Sequence, residues 1–493
     1  MTDFDAISST YRAALPPGRL SEMPLHGIDR LGVPFHVVNF APEDGPPNSG
    51  SGYGTSVAEA RMGALGELTE VVLAHRAVQR MPRERASYAA MVRHHGTAQV
   101  LDPLRLCLEA GSAYHADLPL QWVQIGRYRR DEHVWLPLEF VACQGVDIGP
   151  GPWLITPITN GLGAGLTFDS AIAHGLLELI QRDGNSVAFR ALAADLAVAL
   201  DEVRDEQTRS LLAHLDAQDV DVVVKLAGTD FGMVNLYAVG IDRETGAQSP
   251  VMALACGEAA HPNREHALRK ALLEFVSARS RIGFSHGPLA PVAAVTPPEY
   301  LHDYLRHYDP SCDEPRALQS MHYLHGLNLD EMRALLEPRI LAARRSIPFS
   351  ELPHSVAAER ATREELADLV AAQLRAAGFD ILVADFTPPG SAVHAVKVLV
   401  PGLEVETMSY HRIGVRNLRR LMAQPEGLAG VGDAPPQAKR VLLPATVEAE
   451  LGSPAWLDVA ALDRVVGPLY AIYREPARHA AALRSQSYIA DGS

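Results

Sequence analysis

The sequence predicts an α+β fold that has tandem mixed and antiparallel sheets and a cluster of three helices that carry carboxylates. Three times along the chain, a strand and a loop lead into a long helix with polar side chains three residues apart. Repeated units of this kind place similar helices side by side. Two later segments, 120–142 and 363–400, have the pattern of antiparallel strand pairs, and a helix precedes the second pair.

The first of the three helices follows a predicted strand, VPFHVVNF, and a loop rich in Pro, Gly and Ser. Ser56 is a suitable N-cap, and Glu59 three residues later completes the pattern of a capping box, so a helix is predicted over 57–79. This helix carries Glu67 and Glu70. The two carboxylates lie on one face because helical residues three apart are separated by about one turn.

The second and third helices repeat this arrangement. The second follows the glycine-rich loop TNGLGAG and carries Glu178 and Gln181 three residues apart. The third is predicted over 264–281, directly after another strand, and carries Glu274 and Ser277 with the same spacing. Each helix therefore offers a carboxylate with a polar neighbour at the next turn.

One such pair on one helix is most often part of a solvated face, so only the repetition points further. Three helices with the same pattern, held side by side, can converge on one pocket. A pocket walled by carboxylates suits a hard cation such as Mg²⁺, which proteins usually bind together with phosphates. The sequence therefore predicts a magnesium and phosphate site between the three helices.

The length of the chain and its Pro/Gly punctuation predict three parts. Residues 1–29 have the pattern of a short lead-in, 30–425 form the main domain, and 426–493 form a helical extension. Within the main domain, 297–345 is polar and helical and is predicted to be an excursion over the surface.

The composition of the chain argues against several classes of function. The 493 residues carry a net charge of -15, which argues against a nucleic-acid binder because such a protein needs a basic stripe. The four cysteines form no C-x-x-C pair, so reduced thiols in a cytoplasmic protein are expected. The N-terminus has no signal-peptide pattern and no run of about 18 apolar residues occurs, so no membrane span is expected.

Three motifs, in order, resemble the signatures of the YcaO family. They are SGSGYGTSVAEARMGALGELTE, TNGLGAGLTFDSAIAHGLLELIQRD and ALRKALLEFVSARSR, one on each of the three helices. Two later stretches, SIPFSELP and LVPGLE, look like the family's late region. The resemblance covers roughly residues 30–425 and implies a YcaO-like fold.

The resemblance also implies an enzyme that binds ATP and Mg²⁺ between the three helices and acts on backbone amides of ribosomally made peptides. In this chemistry the amide oxygen attacks the γ-phosphate and then leaves as phosphate. A side chain of the substrate as nucleophile gives an azoline, sulfide gives a thioamide, and a backbone amine gives an amidine. An amide oxygen needs this activation because it is otherwise a poor leaving group, and metal ions and cationic donors stabilise the charge that develops.

The resemblance implies the following candidate residues. Metal ligands and catalytic groups are Glu67, Glu70, Glu178 and Gln181, with Glu274 as a further catalytic group. Cofactor-binding residues are Ser51, Asn160, Lys270, Ser277 and Arg279.

Several positions depart from the family pattern. Ser51 stands where a lysine is expected, Leu166 replaces an Asn and Ser170 a Glu. Gln181 replaces the second Glu of the central helix, and Ser277 replaces a Gln on the third. Each lost carboxylate weakens the attraction for a second or third cation.

These departures leave three outcomes open. The enzyme uses ATP with fewer metal ions, or it binds another nucleotide or co-substrate, or it is a catalytically degenerate scaffold that binds the precursor peptide or a partner enzyme. The chain ends RSQSYIADGS, without the proline-rich tail of many azoline-forming relatives, which favours thioamide or amidine formation. The resemblance begins near residue 30, so a separate leader-binding, TfuA-like or ubiquitin-activating-like partner is expected, and we expect a homodimer.

Overall fold

The computed structural model describes residues 3–25, 27–151, 153–192, 196–244, 249–309, 313–404 and 411–484. The strands, in chain order, are β1 (Gly18–Pro24), β2 (Phe35–Pro42), β3 (Asn48–Tyr53), β4 (Glu84–Ser87), β5 (Pro119–Arg127), β6 (His133–Pro137), β7 (Leu162–Gly165), β8 (Leu196–Ala199), β9 (Val220–Gly228), β10 (Val234–Asp242), β11 (Cys256–His261), β12 (Arg345–Pro348), β13 (Leu382–Asp385), β14 (His394–Leu399), β15 (Ala429–Val431), β16 (Lys439–Val441) and β17 (Ala455–Leu457).

The helices, in the same order, are α1 (Phe4–Ala14), α2 (Val57–Arg80), α3 (Tyr88–His95), α4 (Leu138–Val141), α5 (Gly145–Ile148), α6 (Phe168–Leu192), α7 (Glu206–Ala217), α8 (Arg264–His286), α9 (Leu289–Val295), α10 (Tyr300–His307), α11 (Pro315–His325), α12 (Leu329–Leu336), α13 (Val356–Arg360), α14 (Arg363–Ala376), α15 (Val415–Met422), α16 (Ala445–Leu451), α17 (Val459–Val466) and α18 (Tyr470–Tyr473).

Within the described residues, the strands form four sheets. β1, β2 and β3 are an antiparallel meander. The order of the second sheet is β11-β10-β9-β8-β12, antiparallel except where β12 runs parallel to β8. The order of the third is β4-β5-β13-β14-β7, with β6 also paired to β5, and the small fourth sheet has the order β15-β17-β16. Mixed and antiparallel sheets with packed helices confirm the predicted α+β class.

The three long helices pack on strands that precede them, and a glycine allows the close approach each time. A Cβ at Gly50 of β3 would collide with the backbone of α2 between Ala64 and Leu68. A Cβ at Gly163 of β7 would collide with α6, and one at Gly257 of β11 would collide with the backbone of α8. Because these strands can touch the helix backbone, their own N–H groups come within reach of side chains on the helix.

The segment 297–345 is helical as predicted, since it forms α10, α11 and α12. Its description as a surface excursion is wrong. Met321 of α11 and Met332 of α12 are buried in the same hydrophobic core as Phe275 of α8. Apolar residues on one face of each short helix hold α11 against α18 and α12 against the 3₁₀ turn Pro250–Leu254.

The two terminal parts also contain more regular structure than predicted, and the first packs directly on the main domain. Residues 1–29 contribute α1, which packs on α2, and β1, which pairs with β2. The C-terminal part 426–493 has helices in the described residues, but β15, β16 and β17 also form a sheet there. Strands of three residues are too short to show a period of two, which explains why this sheet left no signal.

The strand predicted before the third helix is β11, and a 3₁₀ turn, Pro250–Leu254, precedes it. The capping box predicted for α2 differs in part from the structure. Ser56 caps α2 as predicted by accepting a hydrogen bond from the Glu59 N–H at 3.2 Å. The Glu59 carboxylate, however, accepts from the N–H and hydroxyl of Thr55 and not from Ser56. No helix among the described residues is long and apolar enough to cross a bilayer.

Candidate functional site

Helices α2, α6 and α8 bring their carboxylates into one cleft. Desolvation raises the pKa of both Glu67 and Glu70 on α2, and the nearby charge of Glu178 on α6 raises both pKa values further. Tyr53, at the end of β3, hydrogen-bonds to Glu274 on α8 and also senses the charge of Glu67. The structure therefore places the four glutamates predicted from sequence around a common space.

A backbone N–H from a neighbouring strand or loop holds each of these carboxylates. The Ser51 N–H donates to Glu67 Oε2 at 2.6 Å, and the Ser51 hydroxyl donates to the same oxygen at 3.1 Å. The Gly161 N–H donates to Glu178 Oε2 at 2.9 Å.

The other two glutamates are held in the same way. The Ala164 N–H donates to Glu70, and the Glu258 N–H donates to Glu274. Glu258 directly follows Gly257, as Ser51 directly follows Gly50. The close glycine contacts of the strands thus fix the orientation of the carboxylates on the helices.

The cleft carries an excess of negative charge. Burial raises the pKa of Glu70 well above its ordinary value, and the charges of Glu178 and Glu67 raise it further. Burial is also the largest cause that raises the pKa of Glu274, to about 7. Glu67 is exposed to solvent, and desolvation is nevertheless the largest cause that raises its pKa. Cations entering this cleft would relieve the repulsion.

One side of the cleft carries positive charge. The pKa of His174 is lowered to about 3 by desolvation, and then by the charges of Lys270 and Arg363. The charge of Lys270 also favours ionised Glu274. His174 is therefore neutral at neutral pH, and it is exposed on α6 within reach of the charges of Lys270 and Arg363. A cationic edge beside a carboxylate cleft suits a ligand that carries both phosphates and metal ions.

The remaining polar residues predicted from sequence are placed as follows. Gln181 is buried on α6, one turn beyond Glu178. Ser277 is buried, and its hydroxyl donates to the carbonyl of Glu274 at 2.9 Å. Asn160 is buried and lines a small cavity with Glu139 and Lys397, next to the Gly161 N–H that holds Glu178.

Arg279 has a structural role in place of the predicted contact with the cofactor. Its guanidinium is 1% exposed and donates to Asp29 at 2.7 Å and to Asp242 at 3.1 Å. Arg30 also pairs with Asp242, at 2.9 Å. Two buried carboxylates therefore bind this arginine inside the protein, and we leave Arg279 out of the proposed cofactor site.

Some residues of the site escaped the sequence reasoning. Arg182 donates to Glu258 at 2.7 Å and lies 3.7 Å from Glu178. Its position four residues after Glu178 on the same helix was a usable signal. Glu258 and Glu475 had no such signal, because their partners are distant in the sequence.

Among the described residues, no group of three His, Cys, Asp or Glu side chains is already arranged to hold a metal ion. The carboxylates surround a space and do not touch one another at a single point. Mg²⁺ is usually held by one or two carboxylates, with phosphate oxygens and water completing its octahedron. The donor set therefore fits magnesium that arrives with a phosphate ligand.

Comparison with known proteins supports this picture. A sequence model of the YcaO cyclodehydratases, described as ATP- and Mg²⁺-binding, matches residues 51–404. A protein of Methanothermobacter thermautotrophicus, described as uncharacterized, is 26% identical over 391 residues, which are 79% of this chain and 90% of that relative.

Solved structures share the fold. The structure of YcaO from Methanopyrus kandleri bound with AMPPCP and Mg²⁺ is similar with a TM-score of 0.55 and 18% identity, over 84% of this chain and 93% of that chain. A heterocyclase in complex with substrate and cofactor is similar with a TM-score of 0.59 and 17% identity, over 85% of this chain. The match covers 55% of the length of that heterocyclase.

Proposed function

This chain belongs to the YcaO family, and we propose that it uses ATP and Mg²⁺ to activate a backbone amide of a ribosomally made peptide. The carrying observation is the cleft in which α2, α6 and α8 present Glu67, Glu70, Glu178 and Glu274. The similar fold of the Methanopyrus kandleri protein, which was solved with AMPPCP and Mg²⁺, supports a nucleotide in the same place.

The charge of each side chain in the cleft determines the role that we propose for it. Glu67, Glu70 and Glu178 would hold magnesium, and the neutral side-chain oxygen of Gln181 is a weaker ligand. Lys270, on the cationic edge, would hold phosphate oxygens. Bound ATP and magnesium would supply the γ-phosphoryl group that turns an amide oxygen into a competent leaving group.

The backbone donors give this site its rigidity. The N–H groups of Ser51 and Gly161 fix Glu67 and Glu178 before any ligand arrives, so less ordering is needed at binding. We propose an azoline, thioamide or amidine as the product, according to the nucleophile that the substrate or a co-substrate supplies.

A second candidate function is a scaffold that binds the precursor peptide or a partner enzyme without turnover. One observation favours it. The hydroxyl groups of Ser51 and Ser277 are both engaged within the protein, with Glu67 and with the Glu274 carbonyl. Both serines stand at positions where the family pattern has a longer polar side chain.

Release of phosphate from ATP, with Mg²⁺ and a candidate precursor peptide, separates the two functions. The enzyme predicts peptide-dependent phosphate release that Glu178→Ala abolishes, while the exposed-surface control Glu206→Gln retains it. The scaffold predicts no release by the wild-type protein and unchanged peptide binding by Glu178→Ala. We propose a separate partner protein that presents the peptide, and the homodimer and the cytoplasmic location stay predictions.

A further inference from the structure

A second polar cavity opens at the Glu67 end of the cleft. Its walls include Ser51 of β3, Glu67 of α2, Arg281 and His286 at the end of α8, and Glu475 from the C-terminal part. The volume of this cavity is about 230 Å³. It therefore joins a proposed metal ligand to a segment that lies more than 400 residues away in the sequence.

Both carboxylate oxygens of Glu475 accept hydrogen bonds from the Arg281 guanidinium. The distances are 2.5 Å to Nη1 and 2.8 Å to Nη2, and the His286 ring nitrogen lies 3.3 Å from the same carboxylate. A two-point contact of this kind fixes the plane of the guanidinium. Arg281 lies close enough to Glu67 that its charge acts on that carboxylate.

The segment that carries Glu475 is itself anchored. The Ala477 N–H donates to Asp313 at 2.8 Å, and His479 hydrogen-bonds to the Tyr300 hydroxyl at 3.0 Å. The Arg478 carbonyl accepts a hydrogen bond from the Tyr304 hydroxyl. His479 is fully buried with a φ of 64°, a left-handed conformation that only a well-determined surrounding maintains. Glu475 is therefore held from outside the cleft.

We infer that Arg281 supplies the positive charge at the Glu67 end of the cleft, where the sequence has Ser51 and not a lysine, and that Glu475 is its positioning residue. This inference rests on the proposed function. The lysine would extend from β3, whereas Arg281 extends from the end of α8 into the same cavity. Glu475 fixes the guanidinium plane of Arg281, and a planar guanidinium that is always charged suits the geometry of phosphate oxygens.

The test measures KM for ATP and kcat in the full chain, with Mg²⁺, for the wild type, Arg281→Ala, Ser51→Lys/Arg281→Ala and Glu475→Gln. Arg281→Ala is expected to raise KM for ATP about tenfold, the size expected for one charged hydrogen bond, with little change in the urea midpoint. Adding Ser51→Lys to it restores KM to within about threefold of wild type, because the new ammonium enters the same cavity.

Glu475→Gln keeps the shape of the side chain but removes its charge, so KM rises about threefold while kcat is retained. Unchanged KM in Arg281→Ala, or no rescue by Ser51→Lys, contradicts the inference. These outcomes differ from failure of the proposed function, in which the wild-type protein itself neither binds nor hydrolyses ATP. The inference would fall with it.

Discussion

Helix α8 carries two charged residues five positions apart that have opposite surroundings. Arg279 lies among Asp29 and Asp242, so its charge is matched inside the protein. Glu274 lies in the cleft with other carboxylates, and its pKa is raised to about 7 by burial, with Glu258 adding to the increase. A buried charge that has its partners stabilises the fold. An excess of carboxylates that are fixed in orientation and open to solvent forms a site that attracts cations.

The largest expected effect on stability comes from the buried cluster in which Arg279 is paired with Asp29 and Asp242. Arg279→Ala leaves Asp29 and Asp242 buried without their main partner, and we expect it to lower the free energy of unfolding by about 3–5 kcal/mol. Glu178→Ala, in the cleft, should change the same quantity by less than about 1 kcal/mol because it also removes repulsion. Urea denaturation of both variants measures the contrast, and equal losses of stability would remove the distinction between the two regions.

A third buried ionisable residue, Glu404, extends the comparison between paired and unpaired charges. Glu404 is 2% exposed, and burial is the first cause that raises its pKa, to about 7, with Asp183 adding to the increase. Because the folded protein holds this proton up to a higher pH than the unfolded chain does, the free energy of unfolding falls as pH rises from about 4.5 to about 7. The decrease from this group amounts to about 3 kcal/mol.

Glu404→Gln tests this dependence, since the amide resembles the protonated acid. The stability of the variant relative to wild type should rise between pH 5 and pH 7.5, as measured by chemical denaturation at both values. A constant difference between the two proteins over that range would show that Glu404 is ionised at low pH in the folded state.

A smaller effect is expected where the helix meets its strand. Gly257→Ala would drive a methyl group into the backbone of α8 beside Glu274, so we expect a loss of about 1–3 kcal/mol in stability. Gly228→Ala is the matched control, because open space surrounds that position. Thermal unfolding compares the two, and similar melting temperatures would mean that α8 can shift freely on β11.

The spacing of residues along single helices made part of the site predictable. Glu67, Glu70, Glu178 and Glu274 were found because their neighbours three residues away repeat on three similar helices, and the α+β class followed from the strand–loop–helix order. Arg279 was misread because the side chains that bind it come from β10 and from a loop near the N-terminus. Sequence spacing carries no information on such distant partners.

The same limit explains why Glu475 was missed, because its partner Arg281 lies 194 residues away and meets it only in the folded chain. It also explains the helical segments of 297–345, whose polar composition concealed the few methionines and leucines that enter the core. Short strands such as β15 and β16 were missed because three residues give no periodic pattern.

Titration calorimetry of the purified full chain with ATP and Mg²⁺ tests the central claim most directly, with Glu67→Ala, Glu178→Ala and the control Glu206→Gln measured alongside. The carboxylate cleft predicts saturable binding by the wild type and the control, and loss of binding in both cleft variants. Absence of binding by a folded wild-type protein, or equal binding by all four proteins, would contradict a nucleotide and metal site between the three helices.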